Sequence, residues 1–397
     1  MIRKGVFKTW QRVAWKWWGW AGLIGLGWLV RLRPYWFNRS IWLDEAQLAN
    51  NVIRHSLIEL ITAPLSSSQA APIGFLVVTK LLVSWFSESE KVLRLLPLAA
   101  GMALVPIALW LSFQVFEKTP ARLAFVSLFS FSPMLIIYTT EFKQYMLDVS
   151  FGMLILAIGA YGYRIQTKSD EYAGKREWRF SMAALCVTGC VGVWFSHPFV
   201  FFLFGIGVSL FGLALYHKRK RDLLILSGIG LSWLASCVPS IWLIQRNVLD
   251  NQNLFNFWAG AFAPNPLDGW TELRWYLDTF LAAVFLSFMQ RGIAAQQFLP
   301  AWYSLLNLVL AIICLGGAIW MAAQRKWLGW VIFLISVAAW IASVLGYYPL
   351  RGRLFLFISP IIFLLAAGLI EALDQKRLKF MNWLVSLSLI GVVLVPS

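Results

Sequence analysis

The chain has 397 residues, of which 60% are hydrophobic, 16% aromatic and only 13% charged. Soluble proteins carry about 25% charged residues, so the composition excludes a soluble enzyme, a disordered chain and a disulfide scaffold. In a soluble protein the net charge of +16 would suggest binding to nucleic acid. In a membrane protein, Lys and Arg collect in cytoplasmic loops, so this charge has to be interpreted through the topology.

Apolar runs recur along the whole chain, and most have nearly the ~20 residues that cross a bilayer. They cover 17–33, 72–86, 92–115, 121–138, 145–163, 180–195, 198–216, 223–245, 300–322, 327–346, 352–371 and 381–396. A further stretch, 273–290, is amphipathic and is interrupted by Asp278. We therefore predict an all-α polytopic membrane protein in which residues 1–397 form a single transmembrane domain.

The distribution of basic residues predicts the orientation of these spans. If the 72–86 run does not cross, every basic cluster falls on the cytoplasmic side, as the positive-inside rule requires. This run is short and carries Lys80 at its middle, so we predict that it is interfacial or re-entrant. The result is eleven spans, with the N-terminus inside and the C-terminus outside. The basic clusters are those before residue 17, at 164–179, at 218–221 and around residues 118, 325 and 376.

This topology places two larger segments outside, namely a first loop over 34–91 and a second loop over 246–299. Three short polar tips, 139–144, 196–197 and 347–352, lie on the same side. The excess of basic charge then falls on the cytoplasmic side, so nucleic acid is not an expected partner. The outer face holds carboxylates and arginines that need an explanation of their own, and we therefore expect the functional site there.

Two adjacent carboxylates, Asp44 and Glu45, follow the first span in the segment Trp42-Leu43-Asp44-Glu45-Ala46. Carboxylates next to a membrane are costly unless they have a partner or a task. Only one of two neighbours on a helix can face a given cavity. Asp44 could be a general base while Glu45 is held by a neighbouring Arg. The alternative is the first turn of a helix, where the dipole favours acidic residues.

A second candidate lies in the segment from Tyr138 to Asp148. Glu141, Tyr145 and Asp148 have the spacing i, i+4 and i+7, which predicts one shared helical face. Asp148 falls inside an apolar run, where an ionisable residue is a functional candidate. The alternative is an interfacial helix cap with a tyrosine anchor, which explains Glu141 and Tyr145 better than it explains Asp148.

Further candidates lie at the other outer tips. Arg351 and Arg353 defy the positive-inside bias, and Arg suits bidentate contact with phosphate. Tyr347 beside them is equally consistent with an interfacial aromatic belt. His197 could bind a metal or position a phosphate, or simply be hydrogen-bonded. Gln69 precedes the predicted interfacial helix.

The order of these segments resembles that of the GT-C superfamily of membrane glycosyltransferases. The resemblance is to the branch of the dolichyl-phosphate-mannose protein mannosyltransferases and the bacterial lipid A aminoarabinose transferase. The matching segments are Trp42–Ala46, Ala71–Phe75, Glu141–Tyr145 and Arg351–Pro360. This resemblance implies a GT-C-like fold with about 11 transmembrane helices and interfacial helices in the first extracytoplasmic loop.

The resemblance also implies that a sugar is transferred from a polyprenyl-phosphate donor to an acceptor hydroxyl on the extracytoplasmic face. Asp44 then matches the catalytic carboxylate, and Glu141 or Asp148 matches the second acidic position. Arg353, together with Lys143, would hold the donor phosphate. The candidate catalytic residues are Asp44, Glu45, Glu141 and Asp148. The candidate substrate-binding residues are Gln69, Lys143, Tyr145, His197, Tyr347, Arg351 and Arg353.

A divalent metal ion stays open as a cofactor. Related enzymes have an acidic or His residue before the first Pro of the interfacial helix, where this chain has Gln69-Ala70-Ala71. We expect an integral protein of a bacterial-type inner membrane, with a lipid, a protein or a growing glycan as acceptor. Two alternatives remain, a transporter or flippase of lipid-linked sugars and a non-catalytic subunit of a glycan-assembly complex.

Overall fold

The structure is a computed structural model that describes residues 2–168, 176–248, 252–288 and 301–376, with Leu378, Val385 and Leu389. All regular structure in these residues is helical. Among them, seven helices are long and apolar enough to cross a membrane, or eight when one bent pair counts as a single span. The predicted all-α membrane architecture is therefore confirmed, whereas the count of eleven spans is not. Apart from Val385 and Leu389, the last predicted span, 381–396, lies outside the described residues.

The helices follow the predicted apolar runs closely. Those of the first half are α1 (Ile2–Phe37), α2 (Leu43–Arg54), α3 (Leu57–Thr62), α4 (Ile73–Trp85), α5 (Glu90–Leu93), α6 (Leu95–Val115), α7 (Thr119–Phe131), α8 (Pro133–Thr139) and α9 (Tyr145–Lys168). Those of the second half are α10 (Arg176–Gly192), α11 (Phe199–Tyr216), α12 (Lys220–Val248), α13 (Gln252–Trp258), α14 (Trp270–Phe288), α15 (Ala301–Gln324), α16 (Lys326–Val344) and α17 (Ser359–Gln375). A 3₁₀ helix, Gly352–Ile358, leads directly into α17.

Helices α9 and α17 form the centre of the bundle and are the most enclosed of the candidate spans. Helix α9 packs against α6, α10 and α11, while α17 packs against α7 and α15. Membrane helices gain little from hiding apolar surface, since lipid is apolar too, so they depend on close backbone approach. Gly317 on α15 provides such an approach, because a Cβ at this position would overlap the backbone carbonyl of Leu365 on α17.

The predicted span over 121–138 is broken into α7 and α8, which are bent by 45° at Ser132 and Pro133. Proline has no N–H, so the break leaves backbone carbonyls of α7 without their usual helical donors. Arg31 on α1 is fully buried and donates to the carbonyls of Phe129 and Ser130, the latter at 2.8 Å. This arginine therefore satisfies the backbone groups exposed by the break, as a low-dielectric interior demands.

The 72–86 run folds into the 13-residue helix α4. Such a helix is about 20 Å long, which is shorter than the ~30 Å hydrocarbon core of a bilayer. It packs against α2, α3, α5 and α6 rather than within the central bundle. Lys80 lies at its middle, and its Nζ donates to the carbonyl of Ile53 near the end of α2, at 2.9 Å. The helix is therefore shorter than the candidate spans, and its interfacial or re-entrant position stays a prediction.

The prediction that Glu141 shares a helical face with Tyr145 and Asp148 is wrong. Helix α8 ends at Thr139 and α9 begins at Tyr145, so Glu141 lies on the connecting turn. The backbone folds back sharply there, with the N–H of Lys143 donating to the carbonyl of Glu141 at 2.7 Å. Buried side chains hold this turn in place. Glu45 accepts a hydrogen bond from the backbone N–H of Phe142, and Gln69 accepts one from the Lys143 ammonium.

Candidate active site

The site lies at one end of the bundle, where α2, the turn 140–144 and the 3₁₀ helix Gly352–Ile358 meet. Helix α2 begins after Trp42, whose backbone N–H donates to the Glu45 side chain at 3.4 Å. Asp44 and Glu45 therefore occupy the first turn of a helix, where the helix dipole favours negative charge. A position in the first turn of a helix was the alternative to a catalytic role that the sequence left open. The two carboxylates nevertheless have different surroundings.

Glu45 is held entirely by protein groups. It is fully buried against the equally buried Arg94, which donates to its carboxylate at 3.2–3.3 Å. The backbone N–H of Phe142 also donates to Glu45 Oε1, at 2.7 Å. Arg94 in turn donates to the carbonyl of Arg39 at 2.7 Å. Glu45 thus fixes the turn 140–144 and the end of α1 to α2, which is a positioning role.

Asp44 lies between two cations. Its Oδ1 is 3.1 Å from Lys143 Nζ and its Oδ2 is 2.6 Å from Arg353 Nη1. The Arg353 contact is an ion pair without hydrogen-bond alignment, so Oδ2 accepts no hydrogen bond from the described residues. Burial alone would raise the pKa of Asp44, but Lys143 and Arg353 outweigh burial and hold this pKa below its ordinary value. Asp44 is therefore a carboxylate at neutral pH.

Gln69 completes the immediate surroundings of Asp44. Its Nε2 donates to Asp44 Oδ1 at 3.2 Å and to Gln47 Oε1 at 2.9 Å. Its Oε1 accepts from Lys143 Nζ at 2.6 Å. Burial lowers the pKa of Lys143, whereas the attraction of Asp44 raises it and offsets part of that effect. These contacts connect α2, the segment before α4 and the turn 140–144.

Arg353 is positioned by aromatic rings as well as by Asp44. Its guanidinium carbon lies 5.5 Å from the ring centre of Trp42 and 5.7 Å from that of Tyr145. An arginine within ~6 Å of aromatic faces is attracted by their quadrupoles. Trp42 and Tyr145 therefore restrain the guanidinium beside Asp44. The sequence had suggested Tyr145 but not the contribution of the Trp42 ring.

Glu141 is buried close to this group but faces a different cation. Its Oε2 lies 3.5 Å from Arg39 Nη2, and the Arg39 side chain is half exposed. Burial raises the pKa of Glu141, and the charge of Glu45 raises it further. Glu141 therefore takes up a proton at a higher pH than an ordinary glutamate does.

Two cavities meet at Arg353. The larger has a volume of about 880 Å³ and is lined by Asp44, Gln69, Lys143 and Tyr145 among others. The smaller has a volume of about 560 Å³. Its charged lining residues include Glu141 and Arg351. Its larger apolar and aromatic lining includes Trp42, Met134, Tyr138, Ala282, Phe285, Leu286 and Phe355. Arg353, Phe257 and Trp258 line both cavities, so these side chains form the shared wall.

The other predicted site residues lie around the larger cavity. His197 and Tyr347 line it, and burial lowers the pKa of His197 to about 4, so this imidazole is neutral at neutral pH. Asp148 is buried on α9 beside Ser196 and belongs to the lining of neither cavity. The structure thus brings Asp44, Gln69, Lys143 and Arg353 together and keeps Asp148 apart from them.

Sequence analysis missed Gln47 and Arg94 and did not distinguish Trp258 from the other aromatic residues of the second loop. Gln47 lies one helical turn after Asp44 on α2, a spacing that could have suggested it. Arg94 lies at the start of an apolar run, where a charged residue needs a partner. Trp258 was one of several aromatic residues in the second loop, and nothing in the sequence distinguishes it as a wall of both cavities.

No family model and no curated protein match this sequence. Among solved structures, the fold is similar to that of ArnT from Cupriavidus metallidurans in the apo state, with 18% identity and a TM-score of 0.55. It is also similar to the Archaeoglobus fulgidus oligosaccharyltransferase in complex with Zn and sulfate, with 13% identity and a TM-score of 0.54. Both matches cover 94% of this chain, which spans only 62% and 52% of those proteins.

Two further similar structures contain lipid phosphates. One is ArnT from Cupriavidus metallidurans bound to undecaprenyl phosphate, with 16% identity, a TM-score of 0.53 and coverage of 94% of this chain and 63% of ArnT. The other is the oligosaccharyltransferase AglB from Archaeoglobus fulgidus with an inhibitory peptide and a dolichol-phosphate, with 12% identity, a TM-score of 0.55 and coverage of 95% and 55%. These neighbours are GT-C glycosyltransferases, and the chain has their fold.

The residues around Asp44 do not fit a divalent cation, although one neighbour was crystallised with Zn. Both Asp44 oxygens already face cationic groups, namely Lys143 and Arg353. Gln69 turns its amide nitrogen, which cannot bind a metal, toward Asp44. Throughout the described part of the chain, no group of three or more His, Cys, Asp or Glu residues could hold a metal ion.

Proposed function

We propose that this protein is a membrane glycosyltransferase. It transfers a sugar from a polyprenyl-phosphate donor to an acceptor hydroxyl, with Asp44 as the general base. The observation that carries this proposal is the position of Arg353, which lines both cavities and pairs with Asp44 at 2.6 Å. In glycosyl transfer, the phosphate leaves the anomeric carbon of the sugar as the acceptor hydroxyl attacks the same carbon. Arg353 and Asp44 lie side by side where the two cavities adjoin, so a cation for the phosphate and a carboxylate for the hydroxyl are close together.

The smaller cavity suits the lipid-phosphate donor. Met134 on α8 and Phe285 and Leu286 on α14 give it apolar walls, while Arg351 and Arg353 lie at one side. Apolar walls suit a polyprenyl chain, and arginines bind phosphate through paired N–H donors. The lipid phosphates bound to the similar ArnT and AglB structures support this choice of donor class.

The larger cavity then receives the acceptor. Its lining includes Asp44, so an acceptor hydroxyl there can reach the carboxylate. Its volume of about 880 Å³ is large enough for one or more sugar rings, for a lipid headgroup or for a peptide side chain. The acceptor is therefore a hydroxyl-bearing lipid, protein or glycan.

The reaction is a single displacement. The acceptor oxygen forms a bond to the anomeric carbon, the bond from this carbon to the phosphate oxygen breaks, and the phosphate keeps the electron pair. Asp44 takes the acceptor proton, while Arg351 and Arg353 stabilise the negative charge that develops on the phosphate. One displacement inverts the configuration of the anomeric carbon.

The pairing of Asp44 with Arg353 couples donor binding to the base. When the donor phosphate draws the Arg353 guanidinium toward itself, Asp44 Oδ2 becomes free to accept the proton. Lys143 remains on Asp44 Oδ1 and keeps the carboxylate oriented. The base is therefore paired with a cation in the free protein and becomes available once the donor is bound.

We further propose that the site faces the extracytoplasmic side of a bacterial-type inner membrane. Lys118 and Arg325 lie at helix ends that are separated from the site by the length of the spans, and they pair there with Asp374 and Glu117. The positive-inside rule assigns such basic ends to the cytoplasm. The site at the other ends of these helices then lies outside.

The proposal is tested with the purified protein in lipid nanodiscs. The protein is incubated with a panel of radiolabelled polyprenyl-phosphate sugars and a membrane extract that supplies acceptors. We expect one donor to be consumed, with its label transferred and free polyprenyl phosphate released, while nucleotide sugars are not consumed. If no donor is consumed and the same lipids are instead moved across proteoliposome membranes, the protein is a transporter and the proposal is wrong.

A further inference from the structure

We infer that the Lys143 ammonium is a built-in cation that takes the place of a divalent metal ion beside Asp44, so that transfer proceeds without metal. This inference rests on the proposed glycosyltransferase function and deepens it. Lys143 is a positioning residue in this account, because it acts on the base and not on the substrate. The geometry of three side chains carries the inference.

The first observation is the position of the lysine. Its Nζ lies 3.1 Å from Asp44 Oδ1 and 2.6 Å from Gln69 Oε1, and its side chain is only 4% exposed. A cation bound by these two oxygens would occupy the space that the ammonium group fills. The turn 140–144 keeps the lysine in place, because Glu45 binds the backbone N–H of the neighbouring residue Phe142 at 2.7 Å.

The second observation is the orientation of Gln69. A lysine ammonium can only donate hydrogen bonds, so the oxygen of the Gln69 amide faces Lys143 and its nitrogen faces Asp44. The same nitrogen donates to Gln47 Oε1 at 2.9 Å, which supports this orientation. An acidic residue at position 69 would instead place a second carboxylate next to Asp44 and would need an additional cation. The amide removes that need.

The third observation is the balance of charge. One carboxylate, Asp44, faces two fixed cations, Lys143 and Arg353, so the group already has a net charge of +1. A divalent ion here would add to this positive charge, next to a carboxylate whose two oxygens already face Lys143 and Arg353. The donor brings a single phosphate, whose charge the existing cations can balance as it leaves.

The first arm of the test measures metal dependence in the intact protein. Sugar transfer is measured after extensive dialysis against a chelator and again after addition of Mg²⁺, Mn²⁺ or Zn²⁺. We expect the rate to change by less than about twofold, which is below 1 kcal/mol in barrier height. A rate that is lost on chelation and restored by one of these ions would overturn the inference.

The second arm converts the site and measures binding directly. The double variant Lys143→Ala/Gln69→Glu removes the ammonium and supplies a second carboxylate next to Asp44. Mn²⁺ binding is followed by electron paramagnetic resonance in the wild type, in the double variant and in Lys80→Met as a control. Lys80 lies outside both cavities, and its loss removes a lysine without opening the Asp44 site.

We expect stoichiometric Mn²⁺ binding only in the double variant. Stoichiometric binding in the wild type, or no binding in either protein, would contradict the idea that Lys143 fills a cation position. This measurement needs no substrate, so it stays informative if sugar transfer is never found. In that case the proposed function fails, while the identity of the cation beside Asp44 is still decided.

Discussion

Arg353 Nη1 lies 2.6 Å from Asp44 Oδ2, although the first loop and the start of the last described span are far apart in sequence. This ion pair joins α2 to the 3₁₀ helix that leads into α17, and it lies on the wall between two cavities. The site therefore exists only when both halves of the bundle are packed together. A ligand that binds the Arg353 guanidinium therefore alters the ion pairing of the Asp44 carboxylate.

The two arginines of the late segment are expected to have different kinetic effects. Arg353 lines both cavities and pairs with Asp44, whereas Arg351 lines only the smaller cavity. Arg353→Gln should therefore lower kcat and raise the KM for the donor, because it removes a cation that stabilises the leaving phosphate and orients the base. Arg351→Gln should mainly raise the KM. Steady-state kinetics with varied donor measure both effects, and a reversed pattern would contradict the assigned positions.

Glu45 is expected to support the fold rather than the chemistry. Its carboxylate is fully buried against Arg94, and removing one partner of a buried pair costs about 3–5 kcal/mol. Glu45→Gln should therefore lower the thermal unfolding temperature in detergent, and Arg94→Gln should lower it by a similar amount. Glu88→Gln, at an exposed position, serves as the control and should leave the temperature unchanged. Full stability of Glu45→Gln would show that the pair is not structural.

Lys143 is expected to set the alkaline limit of activity. Burial lowers its pKa, so the ammonium loses its proton below the ordinary lysine value of about 10.4 as the pH rises. Asp44, whose pKa is depressed, stays ionised over the same range, so the cation is the group that changes. The rate should fall on the alkaline side in the wild type. In Lys143→Arg this fall should move to higher pH, since arginine keeps its charge.

The pH profile of kcat/KM for both proteins checks this expectation. Arginine is larger than lysine at this buried position, so the absolute rate of the variant should be lower. The position of the alkaline limb, not the rate, is therefore the decisive quantity. An identical limb in both proteins would exclude Lys143 as the group that titrates.

The orientation in the membrane can be tested by labelling introduced cysteines. The native cysteines, of which Cys186, Cys190 and Cys237 are partly exposed, are first replaced by alanine. Glu88→Cys should then react with an impermeant maleimide added outside intact cells, because α4 is predicted not to cross the membrane. Lys118→Cys should react only after permeabilisation. Labelling of position 118 from outside would overturn the predicted topology.

The sequence predicted the helices and the main site residues for clear physical reasons. An apolar run that crosses a bilayer has to satisfy its backbone hydrogen bonds internally, which a helix does. Helices α6, α9, α11 and α12 accordingly begin and end close to the predicted positions. Asp44 attracted attention as a carboxylate next to a membrane span and Arg353 as a basic residue on the predicted outer side, whereas Lys143 entered through the family resemblance. The structure brings these three together around one carboxylate.

Other features depend on long-range contacts that no local pattern shows. The helical spacing of Glu141 and Tyr145 is real, but Glu45 binds the backbone at Phe142 and holds a turn there. Arg31 has no sequence signal that links it to the break at Pro133, since it reaches the carbonyls of Phe129 and Ser130 only through packing of α1 against α7 and α8. The wall shared by the two cavities is likewise a product of tertiary packing.

The role of Asp44 as general base is tested by comparing Asp44→Asn with the wild type in the donor assay. Asp278→Asn is the matched control, because Asp278 is an exposed carboxylate on α14 whose ion-pair partner among the described residues is Arg274, one turn away. We expect Asp44→Asn to fold and to bind donor but to transfer sugar about 10²–10⁴-fold more slowly, the usual effect of a lost general base. Asp278→Asn should match the wild type. A fully active Asp44→Asn protein would show that Asp44 is not the general base.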